Sequence, residues 1–236
     1  MWYNFYVNRR DYKNFAKDGI YHVYNRGVNK MEIFKKEKDF KVFLFRLREG
    51  LLPSTIDPKV FSKSERRRKL FPEGTFHLLA YCLMPNHFHL MIQQMTDLPV
   101  TKLLSKVCTG YSKYFNKEYE RVGAVFQDQF KAVLVENNEQ LLWASYYIHK
   151  NPIEAFLVND LKDYEWNSFK EYFDYSSQDN LCKKSIIQEQ FNTPQSYLNY
   201  FESKENEVGN SLQELYFDFD EGKGTMMTIV PEPDVL

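Results

Sequence analysis

Apolar and polar positions along the first 150 residues switch between two periods, and the switches predict an α+β chain. Gly19 to Gly27 alternates β-prone and polar residues and closes on Asn25-Arg26-Gly27, which predicts a first strand. Lys38 to Leu52 then carries Phe40, Phe43, Leu44, Leu47 and Leu51 at helical spacing with Lys and Arg between them, an amphipathic helix broken by the stretch Pro53 to Pro58. Two short apolar runs follow, Phe76 to Leu83 and Leu90 to Ile92, separated by the turn signal Pro85-Asn86, so they read as a hairpin whose second strand opens at His87. Pro99 to Tyr119 repeats the helical period with Leu103, Leu104, Val107, Tyr111, Tyr114 and Phe115. Gly123 to Val135 reads as a further strand, bent at the polar Gln127-Asp128-Gln129. Strand, helix, hairpin, helix, strand is the order of a ferredoxin-like α+β sandwich, with an antiparallel sheet, helices on one face and the other face open.

A third helix is predicted from Asn138, as its cap, to Pro152, as its end. Residues 1–18 read as an arm, 19–176 as the main domain, and 177–236 as an acidic, helical C-terminal extension. Residues after about 205 are expected to pack loosely, given their acidic excess and Gly222-Lys223-Gly224.

The net charge of −1 conceals an uneven distribution. Residues 185–236 hold two basic and ten acidic residues, which leaves 29 basic and 22 acidic over 1–184. A body of about +7 suits a polyanionic partner. Ser64 to Lys69 concentrates basic charge and reads as a solvated face. Cys82, Cys108 and Cys182 lie too far apart for a C-x-x-C zinc or redox pair, which fits a reducing cytoplasm. No run reaches membrane-spanning length, and the first residues lack the apolar core of a signal peptide.

Candidate chemistry sits in two places. His87 and His89 flank Phe88 on a strand, so both imidazoles leave the same face, roughly 6.5 to 7 Å apart at the backbone, and can converge on one divalent cation. They are expected on the exposed face of a central strand; either ring packed under the helices would defeat the metal-site reading. On the third helix, Tyr147 and Asn151 are four residues apart and lie about 40° from each other, whereas Tyr146 lies about 140° from Asn151. If a tyrosine and an asparagine address one point, the tyrosine is Tyr147. The position before Pro152 disfavours helical geometry, which puts Asn151 at a frayed end. Arg26, Lys131, Lys106 and Lys113 are candidate DNA contacts, because guanidinium and ammonium groups suit phosphate oxygens. His22 reads as a half-buried strand residue, and His77 and His149 as bystanders.

With these motifs in order, the chain resembles the HUH single-tyrosine transposases, and most closely their REP-associated branch. The likeness rests on Tyr21 to Gly27, Ala80 to His89, Phe126 to Lys131, Tyr147 to Pro152, and Trp166 to Phe169. Gln129 departs from it, standing where an arginine would make a phosphate contact. The resemblance implies that His87, His89 and Asn151 hold Mg²⁺ or Mn²⁺ and that Tyr147 attacks a DNA phosphate to give a 5′-phosphotyrosine link. It also implies that the partner is single-stranded or hairpin DNA from palindromic repeats, bound in the bacterial cytoplasm by a monomer or a homodimer. Two other readings compete: an HUH nickase of the replication-initiator or mobilisation kind, and a DNA-hairpin binder without catalysis.

Overall fold

The computed structural model describes residues 15–56, 70–172, 180–191 and 193–211. The basic run at 64–69 lies outside them, as does the tail beyond 211. The chain forms two compact units, one of residues 15–194 and one of residues 1–14 with 195–236. In the second, the described part is the remainder of a helix that begins at Pro194 and runs to Ser211, labelled α5, in which the rings of Tyr197 and Phe201 lie 6.4 Å apart.

The first unit is built on a four-stranded sheet. Strands β1 (Ile20–Arg26), β2 (Phe76–Met84), β3 (His87–Gln94) and β4 (Lys131–Val135) pair antiparallel in the spatial order β2-β3-β1-β4. Helix α1 (Glu37–Leu51) connects β1 to β2, and α2 (Val100–Glu118) connects β3 to β4. Each connection returns the chain to a parallel strand with one antiparallel strand between, which is the ferredoxin-like α+β arrangement. The helix and strand boundaries fall within a few residues of those read from periodicity, except at β4. There Phe126 bridges Gly27 while Lys131 pairs with Tyr24, so residues 127–130 bulge out of the ladder.

Helices α1 and α2 pack on one face of the sheet. Phe43 of α1 meets Phe88 of β3 at 5.0 Å between ring centroids and Tyr111 of α2 at 5.3 Å. Leu47, Leu103, Leu104, Val107 and Phe115 are fully buried with them. Between the two helices a buried carboxylate, Glu49, is held by Arg46 at 3.1 Å and by Lys106 at 3.4 Å. The expectation of one open face is corrected. Helix α3 (Asn138–Glu154) packs on the opposite face, against β2 and β3. Its apolar residues Leu141, Ala144 and Ile148 need cover, and the sheet supplies it.

Two local expectations for α3 also change. The cap is Asn137, whose Oδ1 accepts from the Gln140 N–H at 2.9 Å, and Pro152 lies inside the last turn. A proline there forfeits only the bond to the carbonyl four residues back, while the Ala155 N–H still reaches the Asn151 carbonyl at 2.9 Å. Asn151 is therefore helical and buried, and not frayed.

The outer edge of β2 is covered as well. The Leu83 N–H donates to the Trp166 carbonyl at 2.8 Å and the Ser168 N–H to the Tyr81 carbonyl at 3.0 Å, so residues 166–168 act as a short edge strand. Further along, the Lys183 N–H donates to the Leu78 carbonyl at 2.7 Å, and Ile187 of a short helix α4 (Ser185–Gln188) is fully buried. The compact unit thus continues past residue 176, where the sequence placed a boundary.

The turn between β2 and β3 is pinned from β1. Gly27 donates to the Asn86 carbonyl at 2.8 Å, and Ile33 and Phe34 donate to the Pro85 carbonyl at 2.8 and 2.9 Å. A Cβ on Gly27 would collide with the Met31 carbonyl and fall 2.8 Å from Ile33 Cγ2. Gly27→Ala should therefore lower stability by about 1–3 kcal/mol, the usual cost of overpacking, read as a reduced urea midpoint. A midpoint unchanged from wild type would show that the Met31 backbone yields at no cost.

Candidate active site

On β3 the alternation sends Phe88, Leu90 and Ile92 to the α1/α2 layer and His87, His89 and Met91 to the other face. His89 is fully buried there beneath α3, so the expected exposed histidine face is corrected, and as the ring now stands this counts against a metal at His89 unless the cover moves. The cover over His89 is α3, the helix that carries Tyr147 and Asn151. The Tyr147 ring stands edge-on to His89, with centroids 5.5 Å apart and planes at 89°. His87 and His89 are also mutually perpendicular at 5.0 Å. Asn151 joins the set from the same helix, four residues beyond Tyr147. Its Nδ2 donates to the Tyr147 backbone carbonyl at 2.7 Å, which holds the side chain in place.

His22 was missed as a site residue. It is buried, and its Nε2 lies 2.9 Å from His89 Nδ1, so one ring donates to the other. Its ring also lies 5.9 Å from Tyr147. The signal was present in alternation, since His22 and Tyr24 share a face of β1, but that they meet His89 depends on the β1–β3 register. Trp143 was missed too; it stacks on Tyr147 at 5.4 Å and 10°, one helical turn back.

Burial sets the protonation of this cluster. It lowers the His87 pKa to about 4, with the Asn151 hydrogen bond opposing and the Arg26 charge assisting. It lowers His22 to about 3 and His89 well below its ordinary value, the latter helped by His87 and His22. All three rings are neutral at pH 7. Tyr147 is raised above its usual value by burial and then by the Glu154 carboxylate, against a lowering hydrogen bond from Asn151. The phenol is protonated at neutral pH.

The proposed DNA contacts divide. Arg26 lies directly opposite His87 in the β1–β3 register, and its Nε donates to Gln127 Oε1 at 2.6 Å. Lys131 starts β4 on the histidine side, with Nζ 5.9 Å from the centre of the Tyr24 ring. Lys106 and Lys113 belong to α2, across the sheet from the histidines. Lys106 is committed to the buried Glu49, which argues against a phosphate contact there; Lys113 is exposed on the same distant layer. Among the described residues, no group of three or more His, Cys, Asp or Glu is placed to hold a metal ion.

His149 is structural. It is fully buried on α3 and lies 2.7 Å from Ser168 Oγ, which accepts from the Tyr81 N–H at 2.9 Å and so clamps the edge segment to β2. Its pKa is lowered by burial to about 3. His22, His87, His89 and His149 all bind a proton less readily folded than unfolded, where the value is about 6.5. Below pH 6.5 the unfolded chain gains protons that the folded chain refuses, so stability falls with pH and is fully present only above that value. Each such histidine contributes a slope of up to about 1.4 kcal/mol per pH unit. In EDTA, the urea midpoint should therefore drop steeply between pH 6.5 and 4, and His149→Gln should flatten the curve. A midpoint that is level across this window would mean the rings titrate normally.

A histidine pair on an α+β sheet, one ring buried and one half-buried, faced by a tyrosine and an asparagine from one helix, defines the class of site. A family model described as "Transposase IS200 like" matches residues 20–151, and the chain belongs to this family of transposases. A Haemophilus influenzae protein provisionally named a REP-associated tyrosine transposase is 26% identical over 106 residues. That match covers 40% of this chain and 59% of the relative's length. Among solved structures, a REP-associated tyrosine transposase bound to a REP hairpin aligns at 14% identity with a TM-score of 0.48, covering 67% of this chain and 81% of the other. Among the described residues no helix is long and apolar enough to cross a membrane.

Proposed function

We propose that the chain cuts and rejoins single-stranded or hairpin DNA in the cytoplasm through a 5′-phosphotyrosine link on Tyr147, with Mg²⁺ or Mn²⁺ held by His87, His89 and Asn151. The observation that carries this reading is the Tyr147 ring standing 5.5 Å from His89, on the helix whose Asn151 side chain is fixed to the Tyr147 carbonyl at 2.7 Å. The donor set fits such a cation: two imidazoles kept neutral by burial and an amide oxygen. His87 Nδ1 lies 2.6 Å from Asn86 Oδ1 and His89 Nδ1 is engaged by His22, so coordination would run through Nε2 in both rings. The bound cation would supply Lewis-acid polarisation of the scissile phosphate.

The residues of the chain do the rest. Tyr147 Oη attacks phosphorus, the phosphotyrosine bond forms as the bond to the 3′-oxygen breaks, and the 3′-hydroxyl leaves. The new link conserves the phosphodiester, so a second strand can displace it without ATP. Arg26 and Lys131 flank the histidine face and bind adjoining phosphates. The Tyr147 phenol must lose its proton on attack, and its raised pKa makes that loss the demanding part of the step. His89 is covered by Tyr147, His22 and Tyr24, so DNA reaches it only when the Tyr147 ring or α3 moves aside. The name of the H. influenzae relative, REP-associated, supports a REP-type DNA element as the substrate class.

The test is a denaturing gel of labelled hairpin DNA with a single-stranded flank, incubated with the protein in Mn²⁺ or EDTA. A protein–DNA adduct that forms only with metal is expected. Hairpin binding with no cleavage in any metal would leave a binding protein in its place.

A further inference from the structure

Helix α3 ends on a residue that folding does not account for. Phe156 has φ 55°, in the left-handed region. Its N–H reaches the Ile153 carbonyl and the Leu157 N–H reaches the Pro152 carbonyl, both at 2.9 Å. This pair of bonds closes a helix around one left-handed residue, a position that glycine usually takes because a side chain is strained there. Phe156 accepts that strain and recovers no burial, since it is 95% exposed. A strained, exposed aromatic residue one turn beyond Asn151 points to function and not to packing.

Its surroundings say what it meets. Ala155 and Leu157, its chain neighbours, line a cavity of about 340 Å³ whose other walls include Lys30, Glu32, Asn86 and His87. Lys30 on its wall and the preceding Asn29 also have left-handed backbones, with φ 58° and 51°. The cavity is a depression open to solvent, and it lies beside His87 of the candidate site. The apolar exposure here is one ring and a half-exposed leucine, with polar Asn159 and Asp160 just beyond. That is far less than the roughly 800 Å² per partner of a stable protein interface, but it matches the face of a single base.

We propose that Phe156 is a stacking platform for an unpaired nucleobase adjoining the phosphate at Tyr147, and that the cavity beside His87 receives the neighbouring nucleotide. Lys30 lies on the cavity wall where that nucleotide's phosphate passes, and Glu32 and Asn86 offer acceptors to exocyclic amines. Stacking is tolerant of sequence, because every base has a π-face. The proposal rests on the reading of single-stranded DNA as substrate.

The probes are fluorescent oligothymidine and a blunt duplex of the same length, with affinity read by anisotropy in EDTA. Phe156→Gly relieves the left-handed strain, so it should fold with an unchanged or higher Tm. It should nevertheless bind oligothymidine roughly 5- to 150-fold more weakly, with duplex affinity unaltered. Phe156→Trp should bind oligothymidine as wild type does. Equal oligothymidine affinity in Phe156→Gly overturns the platform. So does a change in sedimentation from dimer to monomer with that affinity unchanged, which would make the ring a contact between copies. If the wild type shows the Phe156-dependent binding but forms no covalent adduct with hairpin DNA and Mn²⁺, the strand-transfer reading fails and the platform stands. An adduct that forms normally in wild type and in Phe156→Gly, with equal affinities, leaves strand transfer standing and removes the platform.

Discussion

Tyr147→Phe should abolish the covalent adduct with DNA, lowering the cleavage rate by on the order of 10⁶, the scale seen when a covalent nucleophile is removed. The fold should survive, because the ring keeps its stack on Trp143 and its edge contacts with His89 and His22. Tyr146→Phe should retain the adduct. Tyr146 is 3% exposed and its hydroxyl accepts from Lys150 Nζ at 2.6 Å, so it is occupied and turned away from the histidines. A DNA-linked band that persists in Tyr147→Phe and disappears in Tyr146→Phe would reverse the assignment.

Loss of either histidine should act through the metal requirement. His87→Ala should raise the Mn²⁺ concentration for half-maximal cleavage by at least about 100-fold, the upper range for altering even an outer partner of a metal ligand. His87 is half-buried, so the fold tolerates the change. His89→Ala should have the same effect on metal dependence and should cost stability as well, because it leaves His22 buried with its hydrogen-bond partner gone. Comparing the two variants separates chemistry from folding. Cleavage with a wild-type Mn²⁺ curve in folded His87→Ala would remove His87 from the site.

The same residues show where sequence reading succeeds and where it stops. Tyr147 and Asn151 share a helix flank that is legible in the sequence, because on one helix a spacing of four fixes their mutual angle whatever surrounds them. The common face of His87 and His89 follows from strand alternation in the same way. Which element covers that face is a different kind of fact. The amphipathic period of α3 demanded a partner surface but did not say which, and the open face assigned to the histidines is the face it took. His22 could not be read as a neighbour of His89, since 67 residues separate them and only the β1–β3 register brings the rings to 2.9 Å. Lys106 looked like any basic point on a helix until α1 brought the buried Glu49 against it.

The sequence alone determined the elements, their order and the faces each residue shares with its near neighbours, because these depend on local periods of about 3.6 and 2 residues. The tertiary structure alone decided which faces meet. It placed Tyr147 over the histidines, neutralised those histidines by burial, and left Phe156 in solvent at the end of the same helix. Such pairings are set by packing between segments distant in the chain, and no local pattern encodes them.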